Sequence, residues 1–277
     1  MIEAEHLTYA YEERRDPVLR DLSLHIQGGE YVALIGPNGC GKTTLLRHLN
    51  GLLTPSGGEV RVDGLSTRDS HALTEIRQRV GMIFQNPDNQ IVGMTVEEDV
   101  SFGPGNLALP PGEIQRRVDR ALETVGLRGY RKRTPHSLSG GEKQLVAIAG
   151  VLAMEPAYIA FDEPTVHLDP LARKRIHEVI GALHRGGVAV IHVTHNMDEV
   201  VGADRVLLMN DGEILLEDTP ARVFAERERL RRLGLDIPLV SELMWRLRQM
   251  GADVRPDLLN LEEACREISS LIRARAA

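Results

Sequence analysis

The sequence predicts an α/β protein whose core is a parallel sheet covered by helices on both faces. Three observations predict it. Several short segments are apolar throughout, as strands buried on both faces are. Helical patterns alternate with those segments, giving the rhythm of a doubly wound domain. The first third carries strands that alternate apolar and polar residues and close in turns, as a sheet with one wet face does.

The elements follow in order. LSLHI (22–26) alternates, QGGE turns, and YVALI (31–35) follows as an apolar strand. TTLLRHLNGL (43–52) has the helical pattern, and EVRVDG (59–64) alternates again before an Asp-Gly turn. VGMIF (80–84), AYIAF (157–161), VAVIHV (188–193) and RVLLM (205–209) are continuous apolar runs. Their helical companions are ARKRIHEVIGALHRG (172–186) and MDEVVGA (197–203). Between Gln85 and Met154 the texture changes. Pro and Gly cluster over 103–112 and helical patterns dominate from Glu113, which predicts a helical insertion at about 86–155. After Pro220 the chain is arginine-rich and helical, with LGLDIP (233–238) as a break. The expected division is a main domain at 1–220 and a helical C-terminal domain at 221–277.

Composition narrows the function. The net charge of −7 argues against a nucleic-acid partner, which needs a basic surface. Two cysteines, Cys40 and Cys265, fit neither a disulfide framework nor a metal cluster and suit a reducing compartment. The opening MIEAEHLTYA has no basic, apolar leader pattern, so no signal peptide is expected. The longest apolar stretch, LVAIAGVLAM (145–154), is half of the roughly 20 residues a membrane helix needs.

Three motifs carry chemistry. GPNGCGKTT (Gly36, Pro37, Asn38, Gly39, Cys40, Gly41, Lys42, Thr43, Thr44) sits between an apolar strand and a helix. Its glycines let backbone N–H groups face a phosphate, and the helix N-terminus adds its positive dipole end. Lys42 reaches the outer phosphates and Thr43 can hold Mg²⁺. YIAFDEP ends an apolar strand in two carboxylates. Asp162 can hold Mg²⁺ through water, and Glu163 points elsewhere and can polarise an attacking water. LSGGEKQ opens a second helix, with Ser139 as N-cap and small residues leaving the helix start bare for an anion.

With these three motifs, the chain resembles the ATP-binding-cassette (ABC) ATPases over roughly Ile2 to Pro220. The resemblance covers Walker A (GPNGCGKT), the signature (LSGGEKQ) and Walker B (YIAFDE). It extends to a Q-loop glutamine, Gln85, a D-loop ending in Asp169 and a switch histidine, His195. Tyr11 matches the aromatic that stacks on adenine, with Tyr9 its competitor. The resemblance implies a P-loop NTPase (RecA-like) core, an antiparallel β subdomain, a helical signature subdomain and a short helical C-terminal extension. It implies ATP and Mg²⁺ as cofactors, with Thr43, Gln85 and Asp162 at the metal. It also implies two cassettes paired head to tail. Ser139, Gly140 and Gly141 of one would act on the nucleotide held by the other, and Asp169 would lie at that site. Glu163, His195 and Gln85 would be the catalytic group.

FQNPDNQIVGMTVEEDVSFGPGNLALP (84–110) and LGLDIPLVSELMWRLRQMG resemble, more narrowly, the ATPases of energy-coupling factor (ECF) importers, which take up vitamins or metal ions such as cobalt or nickel. That implies a homodimer or heterodimer at the cytoplasmic face of the cell membrane. Its partners would be a transmembrane coupling subunit and a separate substrate-binding membrane subunit. The tail would stabilise the dimer. The alternative is a soluble ABC ATPase acting on DNA or ribosomes; the chain lacks the long coiled-coil insertion or second cassette of those proteins. A nucleotide-binding regulator without turnover is disfavoured, because Glu163 and His195 fill both catalytic positions. Cys40, Leu145 and the pair Val166-His167 depart from the usual ABC pattern, and the bulky pair Val166-His167 suggests one member of an asymmetric dimer.

Overall fold

A computed structural model describes residues 1–13 and 16–276. Two sheets form the scaffold. The first is antiparallel, in the order β2 (Leu19–Ile26), β1 (Ile2–Tyr9), β4 (Gly57–Val62), β5 (Leu65–Ser66). Its strands alternate buried and exposed residues, as in LRDLSLHI, because one face is wet. The second sheet runs β10 (Glu213–Asp218), β9 (Arg205–Asn210), β3 (Tyr31–Ile35), β8 (Ala189–Val193), β7 (Tyr158–Asp162), β6 (Val80–Ile83). All its pairs are parallel except β9 with β10. Every residue of β3, β6, β7 and β8 is buried, so their unbroken apolar runs are what a sheet covered on both faces requires.

Helices α1 (Lys42–Leu49), α2 (Leu73–Arg79) and α6 (Pro170–Arg185) connect these strands. The insertion consists of α3 (Val96–Asn106), α4 (Pro111–Thr124) and α5 (Gly140–Leu152). It is tied to the exit of β6: buried Gln144 donates to the Phe84 carbonyl at 3.2 Å, and Lys143 pairs with Asp88 at 2.7 Å. Two readings need correction. α3 begins seven residues before the Pro/Gly cluster and runs through Gly103 and Pro104, because a Thr95–Glu98 capping box starts it. MDEVVGA forms only a short 3-10 turn (Met197–Glu199), opened by the Asn196 side chain.

The tail comprises α7 (Pro220–Ala225), α8 (Arg227–Arg232), α9 (Leu239–Gln249) and α10 (Leu261–Ala276). Val223, Phe224, Leu230 and Leu235 belong to the main core. A separate small core forms around Met244, Ala252, Val254, Leu258 and Ala264. The main core thus takes in residues past Pro220 as far as Leu235, and the small core is built from residues after the 233–238 break. Among the described residues, no helix is long and apolar enough to cross a membrane.

Candidate functional site

The site lies at the carboxyl ends of the parallel strands, where open α/β sheets hold ligands. β3 runs into the glycine loop, β7 ends at Asp162, β8 leads into Thr194 and His195, and β6 leads to Gln85. In register, Asp162 pairs with Val193 and Phe161 with His192, so these strand ends lie level.

The glycine loop is fixed by contact. A side chain at Gly36 would place its Cβ 2.2 Å from the Met209 carbonyl, and one at Gly41 (φ 108°) would lie 2.9 Å from Leu19. No side chain caps α1 and its first turn holds no acid, so its N–H groups remain available to an anion. Lys42 is buried and folds over the loop, donating to the carbonyls of Gly36 (2.7 Å) and Pro37 (2.8 Å). Cys40 is buried beneath it. Burial pushes the thiol pKa up, against the lowering charge of Lys42.

Thr43 Oγ1 donates to Asp162 Oδ1 at 3.0 Å, which joins Walker A to Walker B. Burial raises the Asp162 pKa against the Thr43 bond, and the charge of Glu163 raises it further. A dry carboxylate beside a hydroxyl is a hard-oxygen pair suited to Mg²⁺. Among the described residues, no group of three or more His, Cys, Asp or Glu side chains is arranged to hold a metal ion by itself. A cation here would therefore rely on this pair and on oxygens of the nucleotide.

Glu163 is turned away from its neighbour by a left-handed backbone (φ 51°), a conformation that costs a non-glycine residue on the order of 1–3 kcal/mol. Its amide donates to the Val193 carbonyl at 3.0 Å. Its carboxylate is clasped from two sides, by His195 Nε2 on Oε1 and by Gln85 Nε2, which donates to Oε2 at 3.5 Å. The three residues expected to be catalytic are thus gathered around one carboxylate.

Tyr11, Val18, Asn38, Gly39, Gly41, Lys42, Thr43, Thr44, Gln85 and Glu163 line one cleft of about 390 Å³. Tyr11 donates to or accepts from Thr44 Oγ1 at 3.1 Å. Its competitor Tyr9 packs edge-on against His48 and does not line this cleft. Ser139, Gly140, Gly141 and Asp169 do not line it either. Ser139 and Gly140 are exposed, and Gly141 is buried where any Cβ would meet Ala172 at 2.5 Å. Asp169 is the N-cap of α6, accepting from Leu171 and Ala172 at 3.0 Å, so its carboxylate is committed there. The start of α5 is not bare as expected. Ser139 accepts from the Glu142 amide at 3.3 Å, while the Glu142 carboxylate accepts from the Ser139 amide at 2.8 Å.

The ABC transporter family matches residues 19–166, more than half of the chain. The chain belongs to the ABC transporter family. It is 56% identical to the cobalt import ATP-binding protein CbiO of Syntrophus aciditrophicus, over 98% of this chain and 96% of the relative. It is 48% identical to the energy-coupling factor transporter ATP-binding protein EcfA1 of Caldanaerobacter subterraneus, over 95% and 96%. The structure of CbiO1 from Clostridium perfringens, part of the ABC transporter complex CbiONQ, superposes with a TM-score of 0.75 at 38% identity, over 88% of this chain and 98% of that one. The cassette binds and hydrolyses ATP. Sequence reasoning missed Glu199, which lies buried behind the site; its place six residues past the end of a buried strand was visible, its partners were not.

Proposed function

We propose that this cassette is the ATP-hydrolysing subunit of an ECF-type importer for a transition-metal ion such as cobalt, or for a vitamin. One observation carries the reading: Glu163 is clasped by Gln85 and His195 beside the Thr43–Asp162 pair and Lys42. In this reading Lys42 and the α1 N-terminus hold the phosphates of ATP, and Glu163 orients and deprotonates the attacking water. His195 holds Glu163 and faces the terminal phosphate. Thr43 and Asp162, joined in this reading by Gln85, would hold Mg²⁺, which would neutralise charge on the phosphates.

The cleft contains no residue of the signature helix, and Ser139 and Gly140 are exposed elsewhere. This supports a site completed by a second cassette, identical or similar. Exposed Val92, Met94 and Phe102 follow Gln85 along the chain and support docking of a transmembrane coupling subunit at the cytoplasmic face of the membrane. A substrate-binding membrane subunit completes the importer.

Tagged Glu163→Gln protein purified from native membranes tests this. ATP binding should persist while turnover falls by about 10²–10³-fold, the scale of a lost general base. A multi-spanning membrane protein should co-purify. Wild-type turnover would remove Glu163 from its role, and recovery of ribosomes or DNA instead would sink the importer reading.

A further inference from the structure

Glu199 is a buried carboxylate that touches no residue of the nucleotide cleft, yet three segments of the site converge on it. Its side chain is 3% exposed. From the segment after Walker B, the Thr165 hydroxyl meets both its oxygens, at 2.9 and 3.1 Å. From the segment carrying His195, Thr194 Oγ1 donates to Oε2 at 2.6 Å and Asn196 Nδ2 to Oε1 at 3.4 Å. From α6, His177 Nε2 lies 3.0 Å and Arg173 Nε 4.0 Å away, and His192 Nε2 of β8 is 3.7 Å away. Burial alone would raise its pKa; His177, Thr194 and His192 outweigh burial and hold it at about 2, so it stays ionised.

The loops it joins pack on the core through Leu168, Met197 and Val200 on one side and border open clefts on the other. A cleft of about 590 Å³ opens beside them, lined by Thr165, Val166, Thr194, His195 and Met197. A second, of about 510 Å³, opens on the α6 side between Arg173, His177 and Glu199. Beside that packing, one carboxylate ties the D-loop segment directly to the His195 segment, through Thr165 and Thr194. A buried charge in this setting is costly to leave unpartnered, which makes the arrangement stiff.

We propose that Glu199 is a positioning residue that locks the D-loop segment (165–169) to the segment carrying His195, through Thr165 and Thr194, so that the loop facing a second cassette and the histidine clasping Glu163 move as one. The proposal rests on the roles given above to Glu163 and His195. Chemistry, and not nucleotide binding, depends on this lock, because Lys42 and the glycine loop have no contact with it.

Steady-state and single-turnover ATP hydrolysis by the full-length protein tests it. Glu199→Gln, which keeps the shape and loses the charge, should lower kcat by about tenfold or more, with KM for ATP changed less than about twofold. Thr165→Val, which cuts only the D-loop arm and leaves Glu199 with its other partners, should show the same split more weakly. In a His195→Ala background, Glu199→Gln should add little further loss, because the two act through one unit. Wild-type kcat in Glu199→Gln, or fully additive losses with His195→Ala, would overturn the proposal. If Glu199→Gln does not fold, an unchanged kcat in Thr165→Val overturns it. A defective Glu163→Gln with a normal Glu199→Gln refutes this inference alone, whereas a fully active Glu163→Gln refutes the reading of the site beneath it.

Discussion

His192 shows how a single buried side chain sets the response to acid. It is fully buried, and its Nδ1 lies 2.9 Å from the Tyr31 hydroxyl. Burial lowers its pKa from 6.5 to about 4, against the opposing charge of Glu199. The folded chain leaves it neutral down to that value, while the unfolded chain protonates it from 6.5 downward. The unfolded state therefore binds more protons across this window, and stability falls as pH drops from 6.5 to about 4. Glu199, depressed from 4.5 to about 2, adds a further loss as pH falls through that lower range. Thermal melts should show a steady decline in Tm below pH 6.5, made shallower by His192→Gln. An unchanged slope in that variant would assign the acid sensitivity elsewhere.

Among the elements, α9 depends on a contact outside itself. Its N-cap is Pro238, which offers no side-chain acceptor, and its first amide, on Leu239, donates to Asp198 Oδ1 at 3.1 Å. Asp198 stands in the turn three residues past His195, so the tail and the catalytic segment meet there. Asp198→Ala removes an acid from a helix N-terminus and should cost about 1 kcal/mol locally. Hydrogen exchange should speed up at Leu239 and Val240 and stay unchanged in β7 and β8; uniform change across both would contradict a local cap.

The same elements show what a sequence exposes. β7 and β8 were legible because burial on both faces leaves no polar position in AYIAF and almost none in VAVIHV. The residues of the phosphate loop were legible because Gly36 answers a backbone contact that no Cβ could share and Gly41 a left-handed backbone at φ 108°. α3 was obscured by its Gly103-Pro104 stretch, although Thr95 and Glu98 carry the spacing of a capping box. MDEVVGA read as a helix because Met197, Val200 and Ala203 are all buried, and burial there comes from packing on the core without helical hydrogen bonding. The Glu199 network joins residues up to 34 positions apart through polar contacts, which leave no periodic trace.

At the scale of the molecule, the core extends further along the chain than the motifs do. Val223, Phe224 and Leu230 fill the main core, and burying each contributes about 1.5–3 kcal/mol. A chain ending at Pro220 should lose most of the roughly 5–15 kcal/mol that holds a domain together. A chain ending at Pro238 keeps these residues and should melt cooperatively near the full-length temperature. Equal stability of the two truncations, by calorimetry, would place the boundary back at Pro220.

In the proposed head-to-tail pair, one chain carries half of each catalytic site. The glycine loop, Thr43–Asp162 and the Glu163 clasp lie together, while Ser139 and Gly140 are exposed apart from them. Mixing two inactive variants, Lys42→Ala and Ser139→Phe, tests this most directly. In a mixed pair, one site combines both lesions and the other combines neither. Turnover should therefore recover toward about a quarter of the wild-type value when subunits exchange freely in a symmetric dimer. No recovery, with mixed dimers demonstrably formed, would mean that each chain completes its own site and would overturn the shared-site reading.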